Sequence, residues 1–162
     1  MTLSPDLLDV VIPFNNPMRW KARIANLKRC EDAAIAAGVR LTTVEMAYGD
    51  RSFELPDRER VRRVRVRGAD VIWQKENLGN IGFAAIPDWR FGMLLDGDLL
   101  FHDRDWPAEV LHALQLHKIA QVSSDLIWLG PRGEYCGHGL SFMTRYAESR
   151  RWARAEIGRA HV

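Results

Sequence analysis

A chain of 162 residues, 47% hydrophobic and 27% charged, has apolar content for one globular domain with a real core. Its 23 basic and 21 acidic residues leave a net charge of +2, too balanced to point to nucleic acid or to an anionic membrane surface. Cys30 and Cys136, far apart and without metal-binding spacing, give neither a disulfide framework nor a zinc site and fit a reducing cytoplasm; no apolar run nears the roughly 20 residues of a membrane span, and "MTLSPDLLD" lacks the basic flank and apolar centre of a signal peptide.

In chain order, "LDVVIPF" (8 to 14) predicts a buried strand stopped by Pro13. From Arg19 to Ala37 the residues Trp20, Ile24, Leu27, Ala34 and Ile35 recur at helical spacing, and Gly38 follows as a C-cap. "RLTTVEMAYG" (40 to 49) is a second strand ending in a turn-prone Gly-Asp pair. "VRRVRVRG" (61 to 68) alternates as a half-exposed strand does, which explains its arginines better than a phosphate-binding patch would. "KENLGNIGFAAIP" reads as an amphipathic helix, "WRFGMLLDGDLLF" as a strand, "DWPAEVLHALQLH" (105 to 117) as a helix and "KIAQVSSDLIWLG" (118 to 130) as one or two strands. Trp73, Trp89, Trp106 and Trp128 are expected to pack in the core or at its rim. Alternation of strand and helix predicts an α/β domain with a mostly parallel sheet flanked by helices.

In such a sheet ligands bind outside the carboxyl ends of the strands. Pro13, Phe14, Asn15 and Asn16, then Glu45, then Asp96 and Asp98 are expected at those ends. Asp96 and Asp98 stand out because they interrupt an otherwise apolar run, where an unpaired carboxylate is costly. Within a strand, residues one apart face the same side, so both side chains could converge on a cation, with Gly97 leaving room. The same triplet also reads as a solvated turn, since Asp-Gly is a common turn pair.

Taken in order, "IPFNNP", "VEMAYGD", "WQKENLGNIGF" and "LLDGDLLF" resemble the nucleotide-sugar-binding half of GT-A-fold glycosyltransferases, closest to the family-2-like and β-1,4-galactosyltransferase-like groups, over roughly residues 8 to 130. The resemblance implies a Rossmann-like GT-A fold, incomplete at its C-terminus, that binds a nucleoside diphosphate-sugar, UDP-linked by preference, with Mn2+ or Mg2+. It implies that Asp96 and Asp98 hold the metal and that Asp96 also serves the donor site. Pro13, Phe14 and Asn15 would hold the nucleoside, Glu45 would contact it, Lys75 would approach the diphosphate and Asn80 would orient the sugar. Where the galactosyltransferase-like pattern often has a basic residue after the Phe, this chain has Asn15. Local chemistry alone reads "PFNNP" equally as an Asx-rich turn ahead of the Arg19 helix, and Glu45 equally as a strand-end carboxylate in water. His102, beside the acid pair, is expected to be solvated; His112 and His117 are poorly spaced for a shared metal.

Relatives of this kind place the acceptor site and the general base in a second half, and Asp125 is a distant candidate base. The last residues, "EIGRAHV", are encoded by GAG ATC GGA AGA GCA CAC GTC followed by TGA, which apart from its first base resembles a widely used short-read sequencing adapter. Residues 156–162 are thus expected to be a non-native tail, with Ile157 to Val162 adapter read-through, and the natural protein to continue beyond residue 155. The functional expectation is a cytoplasmic hexosyltransferase with an unknown acceptor. A non-catalytic nucleotide-binding fragment is the alternative, and a nucleotidyltransferase a weaker one, because "IPFNNP" is not a Gly-rich phosphate loop.

Overall fold

The computed structural model describes residues 3–149 and divides the chain into two compact units, Met1–Leu116 and His117–Val162. The tail at 156–162 lies outside the described residues. In the first unit a short turn, Pro5–Leu7, leads into β1 (Leu8–Asn15), α1 (Lys21–Ala36), β2 (Arg40–Tyr48), β3 (Val61–Gly68), α2 (Lys75–Ala84), β4 (Phe91–Leu94) and α3 (Trp106–Leu116). The four strands form one all-parallel sheet in the order β3-β2-β1-β4. The second unit is an antiparallel hairpin of β5 (Asp125–Leu129) and β6 (Tyr135–Leu140), followed by α4 (Phe142–Ser149). Among the described residues no helix is long and apolar enough to cross a membrane.

The strands' composition follows from their places. β1 and β2 are inner strands covered on both faces, and burial is near-continuous along both, with the polar Asp9, Thr42, Thr43 and Glu45 buried among the apolar residues. β3 lies at an edge and alternates between valine and arginine. Pro13 does not end β1, which pairs with β2 as far as Asn15↔Met46. The Val11 carbonyl accepts from the Leu95 N–H at 3.0 Å, and Pro13, two residues on, turns its donor-less nitrogen to that same side, beyond the last pair with β4, Val11↔Leu94. No ladder bond is lost there.

Alternate residues of β1 face two cores. Leu8, Val10, Ile12 and Phe14 pack with Leu27, Cys30 and Ala34 of α1 and with Trp106, Val110 and Leu111 of α3. Val11 joins Val44, Met46 and Leu78, the last from α2, on the other face. Opposite faces for α1 and α2 follow from right-handed crossovers: β1 to β2 steps one way across the sheet and β3 to β4 steps back. α1 closes at Gly38, whose φ of +83° allows its N–H to reach the Ile35 carbonyl at 3.1 Å.

A buried ion cluster ties the α1 side together. Glu31 of α1, 1% exposed, accepts from Thr43 Oγ1 of β2 at 2.7 Å, from Arg58 at 2.8 Å and from both terminal nitrogens of Arg63 of β3. Burial alone would raise its carboxyl pKa, but the hydrogen bonds from Arg63, Thr43 and Arg58 outweigh that and hold it below the ordinary value.

Candidate functional site

The strand order reverses direction at β1, which lies between β2 and β4, and the carboxyl ends of the strands at such a switch point are the place where open parallel sheets bind ligands. β1 delivers Asn15 and Asn16 there. β4 delivers Asp96 and Asp98, but not from within the strand: β4 ends at Leu94, and Gly97 and Asp98 form a turn closed by the Leu99 N–H on the Asp96 carbonyl at 3.3 Å. The strand expected through Phe101 is cut short, and the same-side argument for the two carboxylates does not apply. Both aspartates are exposed at this turn. Gly97 lets the turn settle onto the core, since a Cβ would stand 3.1 Å from Leu27 Cδ1 and 3.3 Å from Ile12 Cγ2.

Lys75, the first residue of α2, comes back to this rim and its Nζ meets Asp96 Oδ1. The crossover helix therefore starts at the switch point, and a residue 21 positions away in sequence supplies the charge that balances Asp96. The pair is partly open to water, its side chains 32% and 48% exposed. Asp98 has no hydrogen-bond or ion-pair partner among the described residues. Just before α2 the segment Val71, Ile72 and Trp73 is exposed; Trp73, at 77%, donates from Nε1 to Glu76 Oε2 at 2.8 Å. This tryptophan is neither core nor packed rim.

The remaining predicted residues separate. Phe14 is 4% exposed and belongs to the α1-side core, so its ring is held by Leu27 and its neighbours. Pro13 is half-buried in the β1–β2 ladder. Asn15 Nδ2 donates to the Tyr48 hydroxyl at 3.1 Å, joining the ends of β1 and β2. Asn80 is exposed on the second turn of α2. Glu45 lies inside β2 rather than at its end and is buried: its Oε1 accepts the backbone N–H groups of Glu54 and Leu55, the latter at 3.1 Å. Its Oε2 is buried without a hydrogen bond, with Arg65 Nε at 3.9 Å. In the second unit, Asp125 is exposed on β5 and accepts from Ser124 Oγ at 2.6 Å.

Asn16 carries more than its sequence context promised. Its Oδ1 accepts from the Trp20 N–H at 2.9 Å, closing the turn into α1 in which Arg19 takes a positive φ, and its Nδ2 donates to Glu54 Oε2 at 2.9 Å. The Asx-turn chemistry of "FNNP" was the available signal. Below the Asp96 turn, Cys30 Sγ donates to the Asp96 carbonyl at 3.5 Å, and burial pushes its thiol pKa up to about 12. A cavity of about 480 Å3 is lined by Ala33, Ala34 and Ala36 of α1 and by His102.

Among the described residues no three His, Cys, Asp or Glu side chains are gathered as a cage for a metal ion. Two carboxylates on one exposed turn could hold only a cation that brings its other ligands with it, as Mg2+ or Mn2+ does when bound by one or two carboxylates and the oxygens of a phosphate. Compared with family models, with curated proteins and with solved structures, the chain matches none.

Proposed function

We propose that this chain is the donor-binding domain of a metal-dependent glycosyltransferase of GT-A type, cytoplasmic by its cysteine usage. It would take a nucleoside diphosphate-sugar, UDP-linked by preference, at the carboxyl ends of β1 and β4, for transfer to an acceptor of unassigned class. One observation carries the reading: Lys75 and the Asp96–Asp98 turn, from separate parts of the chain, meet at the switch point of a four-stranded parallel sheet. A diphosphate needs positive charge, and here a lysine meets Asp96 on the turn that also carries Asp98, two carboxylates that would hold a divalent ion on it. The exposed ring of Trp73, two residues before Lys75, offers a flat apolar face to a base. Mn2+ or Mg2+, when bound, supplies Lewis-acid stabilisation of the leaving diphosphate. The protein's own part is to bind and orient: Asp96 and Asp98 fix the cation and Lys75 adds a point charge.

Calorimetric titration of UDP into the full chain, with and without Mn2+, tests this. Manganese-dependent binding is expected, and its loss in the Asp96→Asn, Asp98→Asn double variant; both side chains are exposed, so the variant should remain folded. Equal binding by wild type and variant, or none by folded wild type, refutes the donor site. Turnover is a separate question. Metal-dependent hydrolysis of a UDP-sugar marks an enzyme, and binding without hydrolysis marks a nucleotide-binding module.

A further inference from the structure

Resting on the donor-site reading above, we propose that Lys75 is a built-in occupant of the cation position. It holds Asp96 while the site is empty and transfers to the diphosphate when donor and metal arrive, so that metal and nucleotide bind strongly only together. The observation is the contact itself: Lys75 Nζ lies on Asp96 Oδ1, one of the oxygens that would ligate the ion. An ammonium and a divalent cation cannot share that oxygen without repelling each other. The pair is breakable, because both partners are partly exposed and such ion pairs are weak. Lysine suits an exchange of partners, as a point charge on a flexible stem with three donors and no planar fork to lock it in place.

Charge counting gives the sign of the coupling. The two carboxylates and Lys75 together carry one net negative charge; Glu76, beside Lys75 in the first turn of α2, keeps its own charge but is turned to the Trp73 indole. Adding a divalent ion alone turns the sum over these three groups to one positive charge and leaves an evicted lysine without a carboxylate of its own. Adding the diphosphate with it provides anionic oxygens for both cations. Metal therefore raises affinity for nucleotide, and by linkage nucleotide raises affinity for metal by the same factor.

The test titrates Mn2+ alone into the full-length chain, following free Mn2+ by its electron paramagnetic resonance signal, and then UDP at saturating Mn2+. Lys75→Gln is expected to bind Mn2+ alone about tenfold more tightly than wild type, the effect of removing one unit charge beside a divalent ion in a water-like dielectric. It is expected to bind UDP with Mn2+ more weakly. Lys75→Arg should bind Mn2+ no more tightly than wild type, and Asp96→Asn placed in the Lys75→Gln background should erase the gain; circular dichroism verifies that each variant is folded. Mn2+ affinity unchanged or reduced in Lys75→Gln overturns the competition while leaving the donor site standing, provided wild type binds UDP with Mn2+. If no form binds UDP, the donor reading fails, and the coupling inferred here fails with it even where the gain in Mn2+ affinity persists.

Discussion

Replacing Glu31 by glutamine probes the buried charge cluster that joins α1, β2 and β3. The change keeps size and leaves the Arg63 guanidinium, whose side chain is 5% exposed, without its counter-charge. Removing one partner of a buried pair costs about 3–5 kcal/mol, against a total stability of about 5–15 kcal/mol for an ordinary domain. With a urea dependence of about 2 kcal/mol per molar, the unfolding midpoint should fall by roughly 1.5–2.5 M. Asp32→Asn is the internal control. Asp32 also meets Arg58, but it is half-exposed and shared with Lys28, so its loss should move the midpoint by no more than about 0.5 M. Replacing Glu31 by leucine together with Arg63 by methionine should recover part of the loss, because desolvating the pair is itself expensive, while Thr43 and Arg58 still lose an acceptor. Acid titration carries the same signature. The folded-state pKa of Glu31 is depressed, so its contribution is full above the unfolded value of about 4.3 and is lost as pH falls through the folded value. In that window the unfolded state holds more protons, so wild-type stability rises with pH and Glu31→Gln flattens the rise. A midpoint shift for Glu31→Gln no larger than that of Asp32→Asn would refute the assignment of a buried, charge-paired Glu31.

Gly82→Ala should destabilise despite alanine's better helix propensity, because the new methyl would stand 2.4 Å from Val11 Cγ1 and 2.9 Å from Val44 Cγ2; overpacking of about 1–3 kcal/mol exceeds the roughly 1 kcal/mol of propensity gained, and a raised melting temperature would mean that α2 does not seat on β1 and β2 there. Toward a thiol reagent at about pH 8, Cys136, which is exposed, should react at once, and Cys30, its pKa pushed up to about 12 by burial, only after denaturant is added; two fast equivalents in native protein would refute the burial of Cys30 under the Asp96 turn.

The sheet was largely legible because the inner strands carry short runs rich in apolar and β-branched residues, bounded by turn residues. Leu8–Asn15 and Arg40–Tyr48 lie within a residue or so of their expected ends, and the valine-arginine alternation of β3 announces an edge. β4 misled for a physical reason. "LLDGDLLF" keeps the composition of a strand, but pairing with β1 stops at Leu94, and Leu94 at the end of the ladder and Leu100 beyond it are both exposed. β6 was not expected at all: "YCGHGL" has two glycines and a histidine where apolar alternation would be sought, and it is held by its antiparallel partner rather than by propensity.

The site was legible only in part, because sequence shows which residues carry charge and not which backbone groups come to meet them. Glu45 reads as a carboxylate free at a strand end, yet it is the anchor to which the β2–β3 connection is tied through the Glu54 and Leu55 N–H groups. The Asp96–Asp98 doublet presents the opposite case. As part of a strand it would be two buried charges in need of compensation; after the strand it is a turn half open to water, with Lys75 on one carboxylate and solvent around the other. Charges so placed are screened and cost little to keep, so the fold does not depend on a cation there. What sets this turn apart from any other Asp-Gly turn is its address, at the carboxyl end of β4, beside β1, where a helix returns a lysine to the same rim.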